Sequence, residues 1–143
     1  MSPLLQLELH VYNPQHELVS YLKAKGITPQ AYSPLGSSNA PLLTDDVVVK
    51  IAKKHSLQPS DILLGYLRML LSLLSTYRDI NRRGGYVLVA KDIVVLPKSV
   101  KPVRITFNFM GAIAAAKKLR SDDSTDDDLQ TLDGLAASGK QKR

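Results

Sequence analysis

The feature of this sequence that most constrains its fold is an alternation of short strand-like and helix-like segments. Leu5 to His10 alternates apolar and polar residues, which predicts a strand. Glu17 to Ala24 has apolar residues at helical spacing and is followed by Gly26, a residue type favoured just after a helix. Ile27 to Ser33 predicts a second strand, and the β-branched run from Asp92 to Leu96 predicts a third, buried strand.

Helices are predicted in three of the remaining stretches. One begins at Asp45-Asp46 and ends near Lys54, with acids first and lysines last, which suits the helix dipole. Another runs from Asp61 to about Leu74, and a short last helix runs from Asp126 to Leu135. Strands that alternate with helices in this order predict an α/β fold, in which parallel strands are joined by helical crossovers.

Composition excludes several classes of site. The chain has 143 residues and no cysteine, so it can form neither a disulfide framework nor a thiolate metal site. Its three histidines, His10, His16 and His55, lack zinc-site spacing. The net charge of +6 is not gathered into a nucleic-acid-binding motif, and Ile62 to Leu74, the longest apolar stretch, is shorter than the ~20 residues of a membrane helix. We therefore expect a soluble cytoplasmic protein with no metal, membrane or nucleic-acid partner.

Polar residues follow each predicted strand. They are His10 after the first strand, Tyr32 and Ser33 at the second, and Lys98 and Ser99 after the third. In α/β folds the carboxyl ends of parallel strands form the ligand-binding edge, so these residues are candidates for a site. A solvated loop lysine and a core tyrosine would give the same pattern, and at this point the two interpretations are equally supported.

Three passages together resemble the aldo-keto reductase family, most closely its fungal glycerol dehydrogenase and small-aldehyde reductase members. They are Gln6-Leu-Glu-Leu-His10 with Tyr12, Ala31-Tyr-Ser-Pro-Leu-Gly36-Ser37, and Val95-Leu-Pro-Lys-Ser99 with Arg104. Each passage ends a predicted strand, and the three follow the order found in the C-terminal half of that family. The resemblance implies part of a (β/α)8 barrel, about strands six to eight with their helices. A complete barrel needs about 250 residues, so this chain is expected not to close one alone.

The resemblance also implies an NADP(H) site, whose residues would contact each part of the cofactor in turn. Gln6 would bind the nicotinamide carboxamide and Tyr32 would stack on the nicotinamide ring; Ser33, Leu35 and Ser37 would line the pyrophosphate; Lys98, Ser99 and Arg104 would bind the 2′-phosphate; and Asn108 would face the adenine. A cationic pair beside backbone donors suits a dianionic phosphate, and a phenol ring suits a flat nicotinamide.

The sequence also departs from the family pattern. The tyrosine that acts as general acid, with its lysine, aspartate and histidine partners, has no matching motif in these 143 residues. Val103 stands where the family has glutamate before Arg104, and Phe107 stands where it has an acid before Asn108. Leu5 and Val11 replace an asparagine and a proline. We expect a fragment of an NADPH-dependent reductase of aldehydes or ketones that is inactive alone. The alternatives are a truncated gene product or pseudogene product without catalysis, or a weak nucleotide-binding module.

Residues 68–88 interrupt the resemblance. Without them, Gly65-Tyr66-Leu67 would join Val89-Ala90-Lys91, which restores a family-like helix and a short loop into the last strand. The block could be a retained in-frame intron or a lineage-specific insertion. With this interruption, residues 1–135 are expected to form the C-terminal part of the reductase domain, and residues 136–143 a solvated tail.

Overall fold

The computed structural model describes residues 3–37, 41–70, 88–90, 93–97, 99, 101–121 and 125–137. Within these ranges four strands form one sheet: β1 (Leu4–Glu8), β2 (Thr28–Tyr32), β3 (Leu88–Ala90) and β4 (Ile93–Val95). Their order across the sheet is β1-β2-β4-β3. β1, β2 and β4 are parallel, whereas β3 pairs with β4 in the antiparallel direction at one edge.

The helices of the described ranges connect and cover these strands. They are α1 (His16–Ala24), a 3-10 helix (Pro41–Thr44), α2 (Asp46–Lys54), α3 (Pro59–Leu70), α4 (Pro102–Ser121) and α5 (Thr125–Ala137). The α/β class and the parallel strands with helical crossovers predicted from the sequence are confirmed. The described strands form an open sheet rather than a closed barrel.

Local sequence explains where the first two helices begin and end. α1 ends beside Gly26, whose φ of 67° lies in the left-handed region that glycine enters at little cost. α2 begins after Asp45, whose Oδ1 accepts hydrogen bonds from the backbone N–H groups of Val47 (2.9 Å) and Val48 (3.4 Å). An aspartate at this position satisfies donors that no helical carbonyl can reach.

The core lies between one face of the sheet and the helices. Ala31 of β2 and Val95 of β4 are buried there, together with residues of α3 such as Leu64 and Leu67. α3 is buried on more than one side because α2, α4 and the sheet edge all contact it. Burial of this kind is the main contribution to the stability of the fold.

Two carboxylates attach α5 to the other helices. Oδ2 of Asp128 accepts a hydrogen bond from Nζ of Lys54 and lies 2.8 Å from Nε2 of His55, both near the end of α2. Oδ1 of Asp133 accepts a hydrogen bond from the hydroxyl of Tyr66 in α3 and lies 3.4 Å from Nε2 of His16 in α1. α5 is therefore held by specific polar contacts as well as by its buried leucines.

α3 and α4 lie close together at Gly111. A methyl group at that position would overlap Oδ1 of Asp61, a buried carboxylate in the first turn of α3. Oδ2 of Asp61 accepts a hydrogen bond from the backbone N–H of Gln58. Burial raises the pKa of Asp61, although the hydrogen bonds from Gln58 and Ser60 act in the opposite direction.

Several predicted elements differ from the structure. β1 ends at Glu8 rather than at His10, because His10 and Asn13 close a turn through their backbone groups. α4 and β3 were not predicted, and α5 continues to Ala137, inside the stretch expected to be a tail.

Both ends of the interrupting block belong to regular elements, and the helical start was predicted. Its first residues, up to Leu70, continue α3, and its last residue, Leu88, begins β3. Residues 71–87, which include the predicted helical residues 71–74, lie outside the described ranges.

Candidate functional site

The candidate site lies at the edge of the sheet where the three parallel strands end. The pairing of β1 with β2 and of β2 with β4 places their carboxyl ends side by side. Three segments leave the sheet at this edge: residues 9–13 after β1, residues 33–37 after β2 and residues 96–97 after β4. The polar segments singled out in the sequence therefore lie next to one another in space.

One face of the sheet next to this edge is polar. In the β1–β2 register, Gln6 is opposite Gln30 and Glu8 is opposite Tyr32, and residues directly opposite each other share a face. Tyr32 is 41% exposed. Gln6 is also exposed, and Glu8 and Gln30 are half-buried. Ala31, between these positions in β2, points to the other face and is fully buried.

The segment after β1 is held rigidly by side chains that bind its backbone. The carbonyl of Glu8 accepts hydrogen bonds from Nδ2 of Asn13 (3.0 Å) and Nε2 of Gln15 (2.9 Å). The buried hydroxyl of Tyr12 donates a 2.6 Å hydrogen bond to Oδ2 of Asp45, the residue that caps α2. Burial, with the hydrogen bond to Asp45, raises the pKa of Tyr12 well above its usual range. Tyr12 thus stays protonated and serves to fasten this segment to α2.

His10 lies in the same segment and is 9% exposed. Its Nε2 is 3.6 Å from Oε1 of Glu8, and its buried Nδ1 has no hydrogen-bond partner among the described residues. Burial lowers the pKa of His10, although the carboxylate of Glu8 acts in the opposite direction. The imidazole is therefore neutral at physiological pH.

The segment after β2 is a tight turn. The carbonyl of Ser33 accepts a 2.8 Å hydrogen bond from the backbone N–H of Gly36. Ser33 has a φ of 49°, in the left-handed region that residues with side chains seldom adopt. Strained backbone of this kind is found preferentially at functional sites. Leu35 is half-buried inside the turn, and Ser37 is exposed after it.

The segment after β4 leads directly into α4. Oγ of Ser99 accepts a hydrogen bond from the backbone N–H of Lys101 (3.2 Å), and the carbonyl of Lys101 accepts the first helical bond, from Ile105. Pro102 opens the helix at a position where its missing N–H costs nothing. Arg104 is exposed in the first turn. The start of a helix beside cationic side chains is a favourable place for an anion.

The structure brings most of the predicted site residues to this one edge and face. Gln6, Tyr32 and the Ser33–Ser37 turn adjoin each other, and Ser99 with Arg104 lies at the end of the neighbouring strand β4. Lys98 lies outside the described residues. The roles assigned to these residues stay predictions.

Asn108 stands apart from the others because it is buried, 8% exposed, on the side of α4 that also carries Ala112 and Ala115. Glu8 and Gln30 were not singled out from the sequence, yet they share the polar face with Gln6 and Tyr32. Alternate residues of a strand point to the same face, so Glu8 lies on the face of Gln6 and Gln30 on the face of Tyr32. Knowing which residues of β1 and β2 pair would therefore have identified Glu8 and Gln30.

The part of the chain that the structure describes contains no candidate metal-binding site. No group of three histidine, aspartate or glutamate side chains is suitably placed to hold an ion there. Among the same residues, no helix combines the length and the apolar character needed to cross a membrane.

Comparison with known proteins finds similar sequences in one family. Glycerol 2-dehydrogenase (NADP(+)) from Saccharomyces cerevisiae is 41% identical over 103 residues, which cover 72% of this chain. Aldehyde reductase YPR1 from the same yeast is 40% identical over 104 residues, covering 73% of the chain. The chain is homologous to the aldo-keto reductases. No protein-family model matches it.

The structural comparison agrees with the sequence comparison. MGS-M4, an aldo-keto reductase from a deep-sea metagenome library of the Medee basin, superposes with a TM-score of 0.67 at 27% identity. The superposition covers 98% of this chain and 41% of that protein. The open sheet therefore matches part of the fold of an aldo-keto reductase.

The chain spans about a quarter of the length of the curated aldo-keto reductases that it matches, 26% of the glycerol dehydrogenase and 27% of the aldehyde reductase.

Proposed function

We propose that this chain forms the cofactor-binding part of an NADPH-dependent aldo-keto reductase that reduces a small aldehyde or ketone to an alcohol. The observation that carries the proposal is the meeting of an exposed tyrosine, an exposed glutamine and a helix start at one edge of a parallel sheet. Two relatives of about 40% identity support the proposal: one is an NADP(+)-dependent glycerol 2-dehydrogenase and the other is an aldehyde reductase.

The residues at this edge fit the parts of the cofactor. Tyr32 offers an exposed aromatic face for the nicotinamide ring, and the exposed amide of Gln6 lies on the same face of the sheet. Backbone groups of the Ser33–Ser37 turn, which is already bent, would line the pyrophosphate without further ordering. When bound, the cofactor would supply the hydride that reduces the carbonyl carbon of the substrate.

The start of α4 would select NADPH over NADH. Arg104 is exposed there, Ser99 precedes it, and Lys98 adds a second cation from outside the described residues. A 2′-phosphate carries about two negative charges and accepts charge-assisted hydrogen bonds, which a hydroxyl cannot do. Asn108 would contribute at the adenine only if its buried amide can be reached from this side of α4.

Reduction also needs a proton for the developing alkoxide. Neither Tyr12 nor His10 is suited to donate it, because Tyr12 is buried and engaged with Asp45 and burial lowers the pKa of His10. General acid catalysis is worth roughly 10²–10⁴-fold, so this polypeptide alone is expected to show no NADPH-dependent reduction of glyceraldehyde. The proton donor of the complete enzyme would come from residues other than these.

The proposal can be tested by grafting. The matching segment of the yeast glycerol 2-dehydrogenase is replaced by this sequence, once with and once without residues 68–88, and NADPH-dependent reduction of glyceraldehyde is measured. We expect the graft without the block to be active and the 143-residue chain alone to be inactive. The graft with the block shows whether that block is compatible with a folded enzyme.

Two results would count against the proposal. A folded graft that binds no NADPH would show that these residues do not form a cofactor site, and would favour a product without catalysis. Turnover by the purified 143-residue chain, free of host reductases, would show that a proton donor has been overlooked. Saturable NADPH binding by the chain without turnover would support the alternative of a nucleotide-binding module.

A further inference from the structure

A buried carboxylate lies where α3 and α4 pack against each other. Asp61, in the first turn of α3, is 7% exposed, and its Oδ2 accepts a 3.0 Å hydrogen bond from the backbone N–H of Gln58. Its Oδ1 is buried and has no hydrogen-bond partner among the described residues. Such an atom is uncommon in folded proteins, because it has given up its hydrogen bonds to water without replacing them. The proposed cofactor site makes no use of this oxygen.

The side of Oδ1 that faces α4 has no room for a water molecule or an ion. Gly111 of α4 has no side chain, and Oδ1 of Asp61 occupies the place where a Cβ atom at that position would stand. Oδ1 therefore lies directly against the backbone of α4. A proton on Oδ1 needs no such room, and it converts the oxygen into a donor that the second lone pair of a helix carbonyl can accept.

The charged groups around this contact do not compensate a negative charge on Asp61. β3 and the 3-10 helix carry none. Those of α3 and of the helices packed around it are Asp46, Lys50, Lys53 and Lys54 of α2, Arg68 of α3, Arg104, Lys117, Lys118 and Arg120 of α4, and Asp126, Asp127, Asp128 and Asp133 of α5. Lys54 binds Asp128, and Lys118 donates to the carbonyl of His55. Within the described ranges no ion pair includes Asp61.

Two influences act on the charge of Asp61 in opposite directions. Burial disfavours the carboxylate and is the larger influence, so the pKa of Asp61 lies above its ordinary value of 3.8. The hydrogen bonds from Gln58 and Ser60, with the positive end of the α3 dipole, favour the carboxylate. The folded chain therefore binds a proton at Asp61 more tightly than the unfolded chain does.

We propose that the contact between α3 and α4 is a proton-dependent joint. With a proton on Asp61 the two helices pack closely; when the proton leaves, the unpaired buried charge admits water between the helices and loosens α4. α4 is the helix whose first turn lies at the candidate site, so the joint makes the packing of that helix depend on pH. The inference goes beyond the proposed reductase function and does not depend on it.

The test is urea unfolding of the 143-residue chain and of its Asp61→Asn variant, from about pH 4 to about pH 8. Asparagine keeps the size of the side chain, can accept the hydrogen bond from Gln58, and carries an N–H donor in place of the acid proton. Groups other than Asp61 titrate in both proteins, so the difference between the two urea midpoints isolates Asp61.

The sign of that difference follows from the raised pKa. Near pH 4 Asp61 is largely protonated in the folded chain and about half protonated in the unfolded chain, so the two midpoints should be similar. As the pH rises, Asp61 ionises in the unfolded chain before it ionises in the folded chain, which destabilises the unchanged chain. We expect the midpoint of Asp61→Asn to exceed that of the unchanged chain at neutral pH, by a margin that shrinks toward pH 4.

Amide hydrogen exchange measures the loosening itself. After correction for the intrinsic exchange rate, amides of α4 next to Gly111 should lose protection in the unchanged chain as the pH rises, and should keep it in Asp61→Asn. Asp46→Asn is the matched control, because Asp46 also lies in the first turn of a helix but is exposed. It should show neither the growing margin in urea nor the retained protection.

Three results would overturn the proposal. A margin for Asp61→Asn that stays constant with pH, or a lower midpoint than the unchanged chain at neutral pH, would show that Asp61 takes up no proton on folding. Protection of α4 that does not change with pH would show that ionisation leaves the helices packed. If Asp61→Asn does not fold, NMR titration of the Asp61 carboxyl carbon in the unchanged chain decides: a midpoint above pH 3.8 supports the joint, and one at or below it overturns it.

Discussion

The two faces of the sheet differ in chemistry although alternate residues of the same strands form them. In β2, Pro29 and Ala31 are buried on the side of the helices, whereas Gln30 and Tyr32 point to the other side, where Tyr32 is 41% exposed. Strands of parallel sheets that are covered on both faces are usually apolar throughout. In β2, burial alternates instead, so that one face packs against the helices and the other carries polar side chains.

The largest expected effect comes from placing a charge on the covered face. Ala31→Glu buries a carboxylate that has no partner, which should cost about 3–5 kcal/mol and abolish cooperative unfolding. Tyr32→Glu, one residue further along the same strand, should change the free energy of unfolding by about 1 kcal/mol or less, because its side chain stays in water. Urea unfolding followed by circular dichroism measures both, and equal losses would contradict the assignment of faces.

A smaller effect is expected where the helices that cover the sheet pack against each other. Gly111→Ala would force a methyl group onto Asp61 at the α3–α4 crossing, so we expect a loss of about 1–3 kcal/mol. Gly134→Ala in α5 is the matched control, since nothing lies within 4 Å of the added methyl group. That substitution should stabilise the chain by about 1 kcal/mol through helix propensity. A higher melting temperature for Gly111→Ala than for Gly134→Ala would contradict the close contact between Gly111 and Asp61.

The contacts of Asp128 with Lys54 and His55 predict how the stability of the chain depends on pH. Burial disfavours the charge of Asp128, but the hydrogen bonds from Lys54 and His55 outweigh it and hold the pKa below the usual value near 3.8. As the pH falls, the Asp128 carboxylate is therefore protonated in the unfolded chain before it is protonated in the folded chain. The stabilisation that this carboxylate gives to the folded chain is present above pH 3.8 and is lost as the pH falls through the pKa of the folded state.

Asp128→Asn should lower stability by about 1.5 kcal/mol at neutral pH and flatten the acid limb of the stability curve. Unfolding in urea across the acid range tests this prediction. An acid limb that is as steep in the variant as in the unchanged chain would contradict it.

The smallest of these effects is expected on the open face. Tyr32→Ala in the grafted enzyme should weaken NADPH binding by roughly threefold to tenfold, the contribution of one aromatic stacking contact. Gln30→Ala, next to it but not assigned to the cofactor, is the control for general disturbance of the strand. Fluorescence titration gives the NADPH dissociation constant of each variant. An equal loss of affinity in the two variants would contradict the stacking of Tyr32 on the nicotinamide.

The sequence predicted the three parallel strands and the ends of α1 and α2 because each depends on local signals. Alternation defines β1, glycine ends α1 at residue 26, and Asp45 caps α2. α4 escaped prediction because its exposed row, from Val103 to Met110, is as apolar as its buried side, so its sequence has no amphipathic period. β3 is only three residues long, and its pairing with β4 is visible only in the folded chain.

The part of the candidate site that lies at the ends of the parallel strands could be predicted from the sequence. Motifs at Tyr32 and Ser99 mark the edge, and parallel pairing brings them together. The exposure of a helical residue depends on which side of the helix packs, and this is why the burial of Asn108 was not foreseen. Glu8 and Gln30 needed the β1–β2 register, which no local motif specifies.

The cofactor preference of the grafted enzyme tests the central claim, that the open face and the start of α4 form an NADPH site. Dissociation constants for NADPH and NADH are measured for the graft and for its Arg104→Met and Lys98→Met variants. We expect the graft to prefer NADPH, and each variant to weaken NADPH binding by about tenfold to a hundredfold while leaving NADH binding nearly unchanged. Equal affinity for the two cofactors, or equal losses in the variants, would contradict it.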